Sequence, residues 1–484
     1  RADVPISTSG WTDTGGGIYT KNIGAGLNVW GATWNYGQVD GVNLNVLADG
    51  DYAGFLMKVT TITAAEQCAY NSGTGVLSVR LPGDVAPSTG SFMSYCTSGH
   101  CIVCEGGNPH IGTGIRVMLS VEPGAGNGYG VLVNKTSLGG LIECESCDNG
   151  YHALGYRATS DQDADGCVIA NARSYGCAGG ATNDRPTLWV VYCRGSGKTI
   201  KYSGVHNCYG KCRLPLKADG VTQQPIFNAT LANAQNDVGG SHCHTDGVAT
   251  TTDFSGTNLT IEYMPNGCLG NPLTGGNGIA VSDPTSFNSW PIRYDWITIT
   301  GGSNMLWANR MAVRHCNADL PRIDVDAHTA GIKLNGIEGF IEASVVRQTG
   351  AGVTFPRQIY RFGGTNTFYA YNTDFIDYGA SAGNVKCFCV LGSADTITMD
   401  GCVVSWPNDT KTNGLLFSGP TTLTPMVLSN NWWPLTARIG ASNWNQSQTN
   451  AADRTLANFQ VSYPGIFNTD PGWVSPTTSG EPTA

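Results

Sequence analysis

The sequence predicts an all-β fold, a parallel β-helix behind a small N-terminal β domain. Three observations predict it. Glycine is abundant, 65 of 484 residues, while Asp, Glu, Lys and Arg together make up 13%, about half the usual share. Many tight turns and few solvated charges belong to a β solenoid or barrel. Short strands of alternating apolar residues recur at starts lying mostly about 26 to 37 positions apart, the window of solenoid repeats. No stretch between them carries a helical period.

Residues 1–92 form the N-terminal β domain. They carry Trp11, Trp30 and Trp34, and the runs Phe55-Leu-Met-Lys-Val-Thr-Thr-Ile-Thr63 and Gly75-Val-Leu-Ser-Val-Arg-Leu-Pro-Gly83 alternate between glycine turns, which predicts antiparallel strands. Trp11-Thr-Asp13 followed by Gly75-Val-Leu-Ser-Val-Arg-Leu81 resembles the small β domain that precedes many bacterial and phage β-helix proteins. Residues 93–434 form the solenoid, with strand starts at Leu141, Cys167, Thr199, Ile226, Leu259, Trp296, Arg322, Phe340, Phe368, Thr396 and Met426. One coil cannot bury its apolar face alone, so neighbours must stack. A propeller blade needs a longer repeat, about 40 to 45 residues, and a sandwich does not account for so long an array. Residues 435–484 have no strand period and end in a Pro, Thr and Ser stretch, read as an irregular tail or cap. Trp432-Trp-Pro434 closes the last coil, because an open solenoid edge needs covering.

A net charge of -9 provides no general basic field, so nucleic acid is not an expected partner. No apolar run approaches the roughly 20 residues of a membrane span. The chain opens Arg1-Ala-Asp-Val4 rather than with Met, as expected of a processed or trimmed chain. Seventeen cysteines include close pairs such as Cys101 and Cys104, or Cys208 and Cys212, whose spacing suits zinc when two pairs converge. Most follow a strand at a similar offset, as Cys177, Cys208 and Cys268 do, which predicts small apolar side chains stacked inside the solenoid.

The chemistry concentrates between Ser241 and Asp283. His244-Thr-Asp-Gly247 resembles the Asn-Thr-Asp-Gly signature of polygalacturonase-type pectin hydrolases, which are right-handed parallel β-helices of the pectin-lyase-like superfamily. Two landmarks follow in that family's order: Pro265-Asn-Gly-Cys-Leu269 in place of Gly-Asp-Asp-Cys, and Gly276-Asn-Gly-Ile279 in place of Gly-His-Gly. The resemblance implies a right-handed parallel β-helix acting on polysaccharide, with Asp246 as the one catalytic carboxylate present. Asn266, Gly267 and Asn277 stand where the family has its adjacent Asp pair and its histidine. The alternative is that these Asp-Gly and Asn-Gly steps are turns between coils.

Register supplies an independent argument. Asp246 precedes Leu259 by the same interval as Asp283 precedes Trp296 and Arg213 precedes Ile226. Aligned coils, about 4.8 Å apart, would make these residues one polar ledge, with carboxylates near the spacing of about 5 to 9.5 Å used in glycoside hydrolysis. His242, His244, Lys211 and Arg213 on the same ledge would equally suit a lyase, in which a cation neutralises a uronate carboxylate and a His, Tyr or Lys takes the α proton. Tyr202, His206 and Tyr209 are further candidates for that proton transfer.

Asp161-Gln-Asp-Ala-Asp-Gly166 places carboxylates Asp161, Asp163 and Asp165 at alternate positions before a glycine, the first half of a calcium loop. Ala172 stands where an EF-hand has its bidentate Glu, so the expectation is a shorter calcium site or a solvated acidic turn. Trp189, Trp290, Trp296, Trp307 and Trp406 are core residues or stacking platforms for sugars. These features lead to a polysaccharide-active β-helix enzyme, hydrolase or lyase, extracellular or on a virion surface. The alternative is a non-catalytic filament, sheath or adhesin. Low surface charge predicts a homo-oligomer, a trimer by analogy with tail spikes.

Overall fold

The structure is a computed structural model. It describes residues 3–29, 31–35, 55–90, 92–97, 101–105, 110–118, 130–134, 139–147, 152–158, 163–175, 187–194, 199–212, 239–246, 252–263, 277–282, 292–300, 304–321, 330–349, 357–378, 387–390, 395–405, 415–418, 426–432, 438–440 and 466–467. Among them every extended element is a β-strand, apart from two single helical turns at Pro82–Asp84 and Pro87–Thr89. Among the described residues no helix is long and apolar enough to cross a membrane.

From Ile102 onward the strands form a parallel β-helix of three sheets. Each coil crosses sheet I, then sheet II, then sheet III, and each strand pairs in parallel with its equivalent one coil away. Sheet I runs through Ile102–Glu105, Val131–Asn134, His152–Ala158, Thr187–Arg194, Gly239–Asp246 and Asn277–Ser282 to Arg438–Gly440. Sheet II begins at His110–Thr113 and Gly139–Ile142 and ends at Met426–Ser429. Sheet III begins at Arg116–Met118 and ends at Ile466–Phe467. Arg438–Gly440 and Ile466–Phe467 therefore carry the solenoid into the region expected to be an irregular tail. Trp432 is paired on both sides, with Val403 and Phe467.

Alternation places one column of each strand inside. Along sheet II the inner column reads Leu141, Ile169, Val205, Gly256, Tyr294, Val313, Ile341, Ala370, Met399 and Leu428, and all but the glycine belong to one continuous apolar core. Gly256 fits because the large Tyr294 ring lies beside it: a Cβ there would come 2.4 Å from that ring.

Sheets II and III meet at a corner made by a single left-handed residue, repeated in eleven successive coils. The column is Gly114, Glu143, Asn171, Asn207, Asn258, Trp296, His315, Ala343, Asn372, Gly401 and Asn430, with φ between 45° and 66°. Only glycine visits this region freely, and Asn is the best tolerated of the rest, so seven of the eleven positions follow the rule. The next residue turns inward. That inner column includes Cys144, Ala172, Cys208, Leu259, Ile297, Cys316 and Cys402, all buried, which bears out the expectation of stacked interior cysteines for Cys208. Cys177 and Cys268 lie outside the described residues.

The N-terminal sheet has the order of an independent unit. Its strands include Asp3–Ile6, Ile18–Asn22, Gly31–Trp34, Phe55–Lys58, Gln67–Asn71 and Val76–Arg80, over a separate core built on Val29, Leu56, Leu77, Val79 and Met93. Met93–Cys96 pairs with Asp3–Ile6 and Gly31–Trp34, so this sheet extends past residue 92. It is antiparallel except between Phe55–Lys58 and Gln67–Asn71.

Candidate functional site

The expected site residues fall on different sheets. His242, His244 and Asp246 share the sheet I strand Gly239–Asp246, where His242 is in register with the buried Val190, His244 with Tyr192 and Asp246 with Arg194 on the preceding coil. His244 is paired with Ser282 on the next coil. Lys211 lies on sheet III, between Tyr175 and Glu262. Asp283 and Arg213 lie outside the described residues. Of the other proton-transfer candidates, Tyr202 is 75% exposed, and His206 stands on the outer face of sheet II with Nδ1 2.8 Å from the Thr257 hydroxyl. Burial pushes the His206 pKa down.

Of the expected calcium ligands, Asp161 lies outside the described residues. Asp163 accepts a hydrogen bond from the Thr199 amide at 2.8 Å and faces Lys201 Nζ at 3.4 Å, both on the next coil. Partial burial works against the charge, but these two partners hold the Asp163 carboxyl below its ordinary pKa. Asp165 is exposed. Among the described residues no three His, Cys, Asp or Glu side chains cluster as a metal site would require.

The structure draws attention elsewhere, to the outer face of sheet II. There a cleft of about 590 Å³ spans four coils, and Arg293, Asp295, Arg314, Glu338, Phe340, Tyr369 and Tyr371 contribute to its lining. Two outward columns build it. One runs Ser255, Arg293, Ala312, Phe340, Tyr369, Thr398; the other runs Thr257, Asp295, Arg314, Glu342, Tyr371, Asp400. Parallel in-register stacking puts successive members of a column about 4.8 Å apart, which brings together residues far apart in sequence. Ala312 opens a gap between Arg293 and Phe340 because its side chain ends at Cβ.

The charged residues of the cleft pair across rungs with neighbours beside it. Arg314 Nε lies 3.0 Å from Glu342 Oε2, with its guanidinium carbon 5.7 Å from the Phe340 ring centre. The Phe340 and Tyr371 rings are tilted against each other at 5.6 Å. Arg293 reaches back to Asp253 at 3.2 Å. Asp295 Oδ1 lies 2.7 Å from Nδ1 of His315, and the imidazole stacks on Trp296, centroids 4.2 Å apart and planes within 9°. Fixed guanidinium and carboxylate groups beside aromatic faces are what a pyranose ring needs, polar at its edge and apolar on its faces. Trp296, beside the cleft, was visible in the sequence as one of five tryptophans that could serve as platforms; the cleft residues themselves carried no local motif.

No family model matches this chain, and no curated protein matches it either. Among solved structures it is similar to a mutant tailspike protein of E. coli bacteriophage HK620 in complex with pentasaccharide, at 11% identity and a TM-score of 0.28, over 72% of this chain and 69% of that one.

Proposed function

We propose that the chain binds an extended polysaccharide along the outer face of sheet II and cleaves a glycosidic bond in the cleft. The observation that carries this reading is the cleft itself: three aromatic rings, Phe340, Tyr369 and Tyr371, interleaved with carboxylates and guanidinium groups over four coils. The long side of a solenoid suits a linear chain of sugars. Asp295 and Glu342 sit two rungs apart in one column, a backbone separation of about 10 Å. Small side-chain adjustments take that within the about 6.5 to 9.5 Å that leaves room for a water in inverting hydrolysis. In this assignment Asp295, which lines the cleft and is tethered by His315, and Glu342, held beside the cleft by its lining residue Arg314, share the acid and base roles.

A competing seat for the chemistry is the sheet I strand Gly239–Asp246, favoured by three candidate residues falling on one strand. Calcium at Asp161, Asp163 and Asp165 is a separate proposal, in which the cation would share Asp163 with Lys201; excess chelator should then lower the melting temperature. Extracellular or virion-surface location belongs with the same reading, since that is where such polymers are met.

Incubation with a panel of acidic and neutral polysaccharides tests the function. New reducing ends indicate hydrolysis, and absorbance from an unsaturated uronate indicates elimination. Asp295→Asn and Glu342→Gln should each reduce the rate by at least about a hundredfold, the scale of a lost acid or base. The same loss in Asp246→Asn, with these two variants active, would move the site to sheet I. Binding without cleavage by any variant or the native chain would establish the adhesive reading instead.

A further inference from the structure

The corner between sheets II and III departs from its own rule most sharply where its residues are aromatic. Seven of its eleven residues are Gly or Asn, yet at two successive coils they are Trp296 (φ 57°) and His315 (φ 48°). Bulky side chains in this region cost of order 1 to 2 kcal/mol, and such strain persists where something else requires the residue. Core packing does not require Trp296, because the side chain is 60% exposed. Its ring contact is the parallel stack on His315, and His315 is pinned in turn by Asp295, which lines the cleft.

The flanking corner residues leave the stack open at both ends. On the Trp296 side stands Asn258, whose amide donates to Asn207 Oδ1 at 2.9 Å and so points toward the preceding coil. On the His315 side stands Ala343, which is exposed and carries only a methyl group. A rigid, solvent-facing indole backed by an imidazole, with a short residue on either side, offers a flat apolar surface of pyranose size. The hydrogen bond from His315 to Asp295 ties that surface to the cleft.

We infer that Trp296 and His315 form a second sugar-binding subsite, a stacking platform for the apolar face of a pyranose ring at the rim of the sheet II cleft. This rests on the saccharide-binding reading of the cleft and extends it around the corner toward sheet III. The platform explains why the corner carries aromatic rings at these two successive coils, and the small Ala343 on the next coil leaves the His315 side uncovered.

The test uses the full chain labelled with 5-fluorotryptophan, in which the Trp296 resonance is the one missing from Trp296→Phe. Titration with methyl α-D-glucopyranoside and methyl β-D-galactopyranoside should shift that resonance saturably, whereas sorbitol, which has no ring face, should not. Trp296→Asn installs the residue the corner otherwise prefers, so its melting temperature should match or exceed that of the native chain. Its affinity for any polysaccharide bound in the cleft should fall about tenfold, the scale of one aromatic stack. Phe340→Ala reports on the cleft independently. Loss of polysaccharide binding in Phe340→Ala with an unmoved Trp296 resonance overturns the platform and leaves the cleft standing. An unmoved resonance with no polysaccharide bound by any form overturns both. A clear drop in melting temperature in Trp296→Asn would assign Trp296 to packing and also overturn the proposal.

Discussion

Asp295 shows how much one residue can gather in a solenoid. It lines the cleft, bonds His315 on the next coil and stacks in register over Arg314, yet nothing around it in sequence marks it as special. Asp374 on sheet III makes a different residue-scale case. Burial pushes its pKa up to about 6 from 3.8, against the opposing pull of Arg347, whose own Nη1 donates to Asn317 at 2.6 Å. Asp319 and Tyr378 also belong to this polar neighbourhood of Arg347. Because the folded pKa exceeds the unfolded one, the folded state binds more protons between the two values. Its stabilising contribution is complete below about pH 4 and is lost as pH rises through about 6. Two pKa units correspond to about 3 kcal/mol at most. Asp374→Asn should therefore melt higher than the native chain at pH 7.5 and match it at pH 4. A variant that melts lower at pH 7.5 would mean that attraction to Arg347 outweighs burial.

At the scale of the element, the corner and the column after it hold the coils in register. Coil-to-coil backbone bonds run through the corner, as from Asn171 N–H to His206 C=O and from Asn207 N–H to Thr257 C=O. The cysteines just inside it are deeply buried: burial pushes the Cys208 and Cys402 thiols up to about 12, and Cys144 is shifted the same way. A thiolate is the reactive form, so these three free thiols should resist iodoacetamide at pH 8 in the native chain and react on denaturation. Labelling of any of them without unfolding would show that the corner opens locally. Gly256→Ala tests the neighbouring column. The added Cβ would strike the Tyr294 ring, and overpacking of this kind costs about 1 to 3 kcal/mol. The drop in melting temperature should be relieved by pairing it with Tyr294→Leu.

Much of this fold was legible in the sequence. Cys167, Thr396 and Met426 do begin or nearly begin strands of sheet II, and recurring Asn at 171, 207, 258, 372 and 430 marks the corner. Coil length is what hid the rest. The shortest turn of the helix runs from Asp295 to Arg314 and the longest from His206 to Thr257, so one fixed offset cannot carry a register from coil to coil. The cleft was invisible for the same reason: it is a column, and its members become neighbours only when the coils are correctly stacked. Trp296 and His315 compounded the problem by replacing Asn where the pattern would have revealed the corner.

At the scale of the molecule, the balance of surface and charge decides how the solenoid presents itself. Only 13% of residues are charged, and apolar side chains stand in solvent at both ends of one outward column of sheet II, Ile111 near its start at 73% exposure and Val427 near its end at 61%. Apolar area of this kind is normally covered by a partner, and closed rotational assembly is the usual way for identical chains to cover it. Ile111 and Val427 lie beyond the cleft at either end of that column, so neighbouring chains that cover the two ends would leave the cleft between them open to a polymer. The expected state is a closed homo-oligomer, and a trimer is the form proposed. Light scattering at micromolar concentration should return three times the 50.9 kDa of one chain, and polysaccharide binding should persist in the assembly. A mass of one chain would remove the trimer. A trimer that loses polysaccharide binding, while a dissociated form regains it, would place the interface over sheet II and so displace the cleft as the binding site.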